Sequence, residues 1–527
     1  MMIPYPYNRT GAHADIPGGA VRGERGVFTW LRNGSLHQMA MAIDDAFLNS
    51  AKVRSMAVLR DGTANRTTVN SGGSQTISAG GLADGLTVNS GGRVSVCSGG
   101  TAAEVTVNFY GSVYVSSGGT VSGGTVHSSG FIYLADSASA AGMRVSGYGT
   151  LSAGNGNAFT DIAVESSGRF YAGNSASVSN LTVCSGANFS CQTGAEASRV
   201  SVLSGGILYA SSGAKCLDVR LESGGRIQPY VLGRDEDTVL TGSGPHGSFS
   251  VSNGTARGFT MEAATLPLYY YASAVSTTLS SGGSLFVSYG AVAEHNTVGS
   301  YGRVLVYSGG TAADITVGSG GSAWADFHGT CLDVRVESGG IVYASNWGEC
   351  SRVSVASGGY AYGYSGGRFV SAMVDGSMVL YSAASAGALT VGSGGFCSAS
   401  RGCGVTSAEV QSGGRFWLND CGSAAGIRVE SGGSAWFLNT GKVCGLELSA
   451  GAYASASAYV TLTDVSVGEG AALYLSQYTT ATGVSVASGG TAYIGSRAAA
   501  LEVVSAEGAV ISVNGGTVEY VTGEGNE

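Results

Sequence analysis

The chain has 527 residues, of which 88 are glycine and 6 proline, with a charged fraction of 12% and a formal net charge of −9. That charged fraction is about half the usual share, and 26 Lys and Arg cannot supply the dense basic surface that nucleic acid needs, so that partner class is excluded. No run approaches the ~18 apolar residues of a membrane span, and the 44% hydrophobic residues recur at fixed intervals, unlike a flexible Gly/Ser linker.

Residues 1–30 lack the apolar centre of a secretory signal. Over 35–51, Ser35 stands where a helix cap would, and Leu36, Met39, Ala40, Ile43, Ala46 and Phe47 share one face at helical spacing. The expectation is a short N-terminal capping helix over 35–51, within a segment 1–56, that covers the open sheet edge of the first repeat.

From residue 57 the sequence repeats. TVNSGG at 68–73 returns at 87–92, then as TVNFYG from Thr106, TVHSSG from Thr125 and RVSGYG from Arg144. The phase runs on through Ala163, Thr182, Ser201 and Arg220, and resumes at Thr278, Thr297, Thr316, Arg335 and Ser354. A shorter unit comes after Met373, and the series from Thr390 continues to a degenerate unit near Val504. CLDVRLESGG at 216–225 and CLDVRVESGG at 331–340 are near copies, a sign of internal duplication.

With the Thr of TVNSGG as position 1, the apolar positions are 2, 8, 10, 16 and 19, with Gly or Ala usual at 6 and 14. Spacing by two is strand alternation. Each repeat therefore reads as one coil: a strand around positions 18–3, a turn at SGG, a strand around 7–11, a second turn and a short third side near 15–17. About five inward side chains at ~1.5–3 kcal/mol each cannot order a lone coil whose residues cost ~1–2 kcal/mol apiece, so coils must stack. The fold class is all-β, a right-handed parallel β-helix of about 24 coils.

Between 226 and 277 the pattern blurs around Pro229, Pro245 and Pro267, the acidic run Asp235–Asp237 and Tyr269–Tyr271. This stretch reads as irregular coils with looped-out segments, between regular repeats over 57–225 and 278–527.

Position 9 lies between inward positions 8 and 10 and so faces out, yet it is often aromatic: Tyr114, Tyr133, Tyr171, Tyr209, Phe286, Trp324, Tyr343, Tyr362, Tyr381, Trp417, Trp436, Tyr474 and Tyr493. Stacking would align these into an exposed stripe able to bind sugar rings or a partner surface; the alternative is a ladder that only supports the sheet. Position 18 carries His295, Asp314, Asp333 and Arg352 on successive coils, the groups an acid/base polysaccharide lyase or hydrolase would use. A similar earlier column, Asp161, Asn180, Arg199 and Asp218, favours a surface charge ladder instead. The ten cysteines include no CxxC pair and no histidine at zinc spacing, so neither metal nor cofactor is expected. Cys216, Cys331 and Cys350 share inward position 16 and read as buried thiols.

The recurring TVxSGG, with a companion VSVCSGGTA over 94–102, resembles the AIDA-type repeat of autotransporter adhesin passengers, across residues 57–520. That resemblance implies a right-handed β-helix at the bacterial surface or outside the cell, acting in adhesion, autoaggregation or biofilm formation, in some members O-glycosylated on Ser or Thr. The ending GTVEYVTGEGNE departs from the family's pattern, in which a translocator barrel comes after the repeats, so self-export by that route is not expected from these residues, and a two-partner system, another secretion route and a phage-borne fibre are the alternatives. The leading functional reading is a non-catalytic adhesive rod whose partners are glycans, cell-surface proteins or further copies of itself. A polysaccharide lyase or hydrolase, and a phage fibre, are the alternatives.

Overall fold

The computed structural model describes residues 55–228, 238–244 and 246–521. The chain divides into two compact units, Met1–Thr260 and Met261–Glu527, and each is a parallel β-solenoid. Among the described residues there is no helix. The capping helix expected over 35–51 lies outside them.

In the first unit, short strands such as Arg93–Val96 and Ser112–Val115 alternate with long ones such as Thr101–Val107 and Thr120–Val126. Each pairs in parallel with its counterpart one coil on, Val94 with Val113 and Ala102 with Val121. The second unit repeats this with Ser322–Ala325 against Ile341–Ala344 and Thr311–Val317 against Thr330–Val336. The 19-residue step is visible in side chains as well: Asn89 donates to Asn70 at 2.9 Å and Asn108 to Asn89 at 3.0 Å, each 19 residues apart.

Most short strands, such as Ser322–Ala325 and Ile341–Ala344, alternate with their second and fourth residues buried, which fills the core from positions 8 and 10. The long strands do not alternate strictly. In Thr311–Val317 the buried residues are the second, fifth and seventh, so one residue must be gained between inward positions 16 and 19. That residue is position 18, which adopts a left-handed backbone in almost every coil, with φ from 47° at Glu104 to 72° at Gly445. The bend joins positions 15–17 and 19–2 into one angled strand. Position 18 is therefore the corner itself, not the first residue of a strand as the periodicity suggested, because apolar spacing alone does not report the sign of φ.

The two glycines of TVxSGG have different jobs. Gly91 holds φ +71, a region open to glycine at little cost. At Gly92 a Cβ would sit 2.3 Å from the carbonyl oxygen of Val69 in the preceding coil. The first glycine turns the chain; the second lets coils approach.

Among the described residues regularity breaks in the first unit after Cys216, and in the second unit near Asp375 and again after Ala500. In the first unit Lys215 pairs with Val239 and a register shift comes after Cys216, so extra residues are accommodated before Val239. In the second unit Tyr360 pairs with Ser377, while Met373 still pairs one full repeat back with Ser354. The shortening therefore falls in the turn at Asp375 and Gly376.

Candidate binding face

Position 9 points outward in both units. Tyr114, Tyr171, Trp417, Tyr474 and Tyr493 are exposed, and Tyr133, Tyr209, Phe286, Trp324, Tyr343, Tyr362 and Trp436 are half-buried. For Trp324, Tyr343, Tyr362 and Trp436, rings on successive coils cover one another. Trp324 and Tyr343 stack with centroids 3.7 Å apart and Tyr343 and Tyr362 at 5.5 Å. Lower in the second unit Trp417 meets Trp436 edge-on at 5.8 Å, and Tyr474 stacks on Tyr493 at 4.3 Å. Burial under neighbouring rings also raises the Tyr343 and Tyr364 hydroxyl pKa values, with the nearby tyrosines adding to the shift.

One member of the expected stripe is misplaced. Position 9 of its coil is Val379, which pairs with Tyr362, and Tyr381 sits two residues further along, stacked on Tyr364 at 5.6 Å. The shortened turn at Asp375 and Gly376 precedes this strand and moves every later residue by two positions, so counting from Met373 overshoots.

The face is also wider than one stripe. Outward positions 7 and 11 contribute Phe131 beside Tyr133, Tyr453 beside Tyr474, and the alternating run Tyr360, Tyr362 and Tyr364. The YxYxY alternation in the sequence was the signal for these. Phe327 and Trp347 project from the adjoining turns, 55% and 69% exposed, with left-handed backbone at both. Bulky side chains seldom take that conformation.

The charged corner resolves into pairs. His295 Nδ1 and Asp314 Oδ2 lie 2.5 Å apart, and Arg352 grips Asp333 through Nε at 2.5 Å and Nη2 at 2.6 Å. All four side chains are exposed. In the first unit Asn180 donates to Asp161 at 2.8 Å and Arg199 to Asn180 at 2.6 Å. A shallow cavity of about 560 Å³ runs beside that second set, bounded by Asp161, Asn180, Arg199, Asp218 and Arg220. The left-handed bend accounts for much of this chemistry, because Asp and Asn tolerate αL better than other non-glycine residues. The Arg352 guanidinium holds the Asp333 carboxyl below its ordinary value. Asp333 should therefore titrate lower in the native protein than in Arg352→Ala, where it should return to the usual carboxylate range, as read by carboxyl carbon NMR. Any contribution it makes to stability is present above the unfolded value and lost as pH falls through the native one.

Cys331 and Cys350 pair in register on adjacent strands, fully buried as free thiols. Cys216 has a different neighbour, Cys191, whose hydrogen bond, with burial, holds the Cys216 thiol well above its usual pKa. Cys191 lies on the short strand, across the core, and periodicity did not bring the two together.

No family model and no curated protein sequence matches the chain. Among solved structures, the crystal structure of a TibC-catalysed hyperglycosylated TibA fragment is 27% identical with a TM-score of 0.31, and the match covers 62% of this chain and 97% of that one. This fragment is a structural neighbour of the β-solenoid. The PL6 family alginate lyase AlyGC is 8% identical with a TM-score of 0.16, covering 82% of this chain and 100% of that one. At such TM-scores neither superposition bears on function.

Proposed function

We propose that this chain is a non-catalytic adhesive protein of the bacterial surface or extracellular space, a right-handed β-helix that contacts glycans on other surfaces through its outward aromatic face. The observation that carries the reading is the run of half-exposed rings on successive coils, from Trp324 to Tyr362 and from Trp417 to Tyr493. A ladder serving only the sheet would not need the additional exposed rings of Phe327 and Trp347 on strained turns. The charged corner supports the same reading, since its groups are paired, solvated and dictated in part by the backbone. The resemblance to AIDA-type repeats agrees with a role in adhesion or biofilm formation.

The test is retention of the purified protein on immobilised glycans and on bacterial cells, comparing wild type with Trp324→Ala, Trp417→Ala and Trp436→Ala combined. Retention should be lost in the variant while β-sheet circular dichroism is unchanged. Equal retention of both would show the rings to be scaffold only.

A further inference from the structure

Two places on the aromatic face of the second unit share one constellation. At the first, Trp324 lies in register with Tyr343 on the next coil. Two residues beyond Trp324, Asp326 Oδ1 accepts hydrogen bonds from the Phe327 backbone N–H at 3.0 Å, Ser345 Oγ at 2.9 Å and Asn346 Nδ2 at 2.8 Å. At the second, Trp417 lies in register with Trp436. Two residues beyond Trp417, Asn419 Oδ1 accepts from the Asp420 backbone N–H at 3.0 Å and from Asn439 Nδ2 at 2.7 Å, and Asn439 also reaches Asp420 Oδ1 at 3.3 Å.

The sequence spacing is the same in both: a tryptophan, an Asp or Asn two residues on, an aromatic ring one coil on, and an asparagine three residues past that ring. In both, the side-chain oxygen at the second place is fixed by its own following N–H and by that asparagine. Tryptophan and Asp or Asn point to the same side of the strand, about 7 Å apart along it. Among the described residues, Asp326 Oδ2 and Asn419 Nδ2 have no hydrogen-bond partner. Each place thus offers an aromatic surface next to oriented, unspent acceptors and donors.

We infer that these are two equivalent saccharide subsites for a neutral, uncharged-sugar glycan, and that the chain binds such a polymer through both at once. This rests on the glycan-binding reading of the aromatic face and gives it a ligand class. An aromatic ring packs against the apolar C–H face of a pyranose, and the Asp/Asn cluster addresses its hydroxyls; a carboxylate at each place, Asp326 and Asp420, in a chain of net charge −9, disfavours uronates and other acidic sugars. Arg415 precedes Trp417 only at the second place and is no part of the shared pattern. The subsites are five coils apart in the strand register, about 24 Å, within the span of a modest oligosaccharide segment.

The experiment is calorimetric titration of the full chain with neutral tetrasaccharides of gluco, manno, galacto and N-acetylglucosamine type, with uronate tetrasaccharides, and with the polymer of whichever neutral sugar binds. Wild type should take two equivalents of a neutral tetrasaccharide, and Trp324→Ala or Trp417→Ala one each. Asn346→Ala and Asn439→Ala should each weaken their own subsite about tenfold by releasing the oriented oxygen. Losing either subsite should weaken polymer binding by about 10²-fold, as bivalency is lost. Alanine is structurally safe here, since Ser398 and Ser455 occupy the same outward position in other coils. If the tryptophan variants weaken binding but the asparagine variants do not, the face binds by stacking alone and the subsites are refuted while the adhesive reading stands. Preference for uronates, or a single equivalent in wild type, also overturns the inference. Binding to cells with no affinity for any neutral sugar overturns it in favour of a protein receptor.

Discussion

Phe170→Ala is expected to destabilise the first unit by about 3–5 kcal/mol, the range for deleting a large buried ring. Phe170 is fully buried and stands between Phe159, edge-on at 4.7 Å, and Phe189, tilted at 5.1 Å. Truncation removes both ring contacts, each worth about 0.5–1.5 kcal/mol beyond area burial, and leaves a void. Backbone pairing on both sides, to Leu151 and Phe189, keeps that void from closing. Stability in stacked coils is a sum of local and nearest-neighbour terms, so the loss should be regional. Amide hydrogen exchange should accelerate most in Ala158–Val164, Arg169–Ala172 and Asn188–Cys191, with little change in the second unit. Uniform acceleration through both units would contradict this local accounting.

The second large effect concerns the thiols. At pH 8 the native protein should leave Cys397 unmodified by iodoacetamide while Cys421 and Cys444 react. Both of the latter are exposed. Cys397 is fully buried in the core, and loss of hydration, with a smaller contribution from Cys403, pushes its pKa up from 9.0 to about 12. The thiolate is the nucleophile, so the reactive fraction falls roughly a thousandfold for such a shift, before steric exclusion is counted. Cys350 should behave in the same way, since its hydrogen bond to Cys331 and burial hold it well above its usual value, and Cys331 is shielded from the reagent by full burial. Mass spectrometry of alkylated peptides reads the outcome; modification of Cys397 as fast as Cys421 would contradict it. The same shift makes stability depend on pH. The unfolded chain releases this proton near 9.0 and the folded chain holds it to about 12. Stability is therefore unaffected below 9 and declines as pH rises from there toward 12, by up to about 1.36 kcal/mol per pH unit for this group.

The candidate face was legible only in part. Side chains that alternate within a short strand, such as Trp324 between Ala323 and Ala325, announce their direction in the sequence, and most of the outward rings can be placed that way. Tyr381 shows the limit. A two-residue shortening shifts the frame, and only backbone pairing says on which side of Ser377–Leu380 it falls. The acceptor clusters at Asp326 and Asn419 were missed because each draws on two coils and a turn, and none of its residues belongs to the apolar pattern.

What the sequence by itself determined was the coil: its 19-residue step, its inward positions and its glycine turns. In a solenoid the residue one repeat away is also the neighbour in space, as the Asn70, Asn89 and Asn108 ladder shows, so periodicity carries register directly. The tertiary structure decided what depends on direction across the coil. The left-handed bend at position 18 turns two sides into one angled strand. Cys191 meets Cys216 from the opposite side of the core, and two distant turns present the same tryptophan and Asp/Asn cluster. Those arrangements arise from how side chains fill a closed cross-section, and a one-dimensional repeat does not encode which wall faces which.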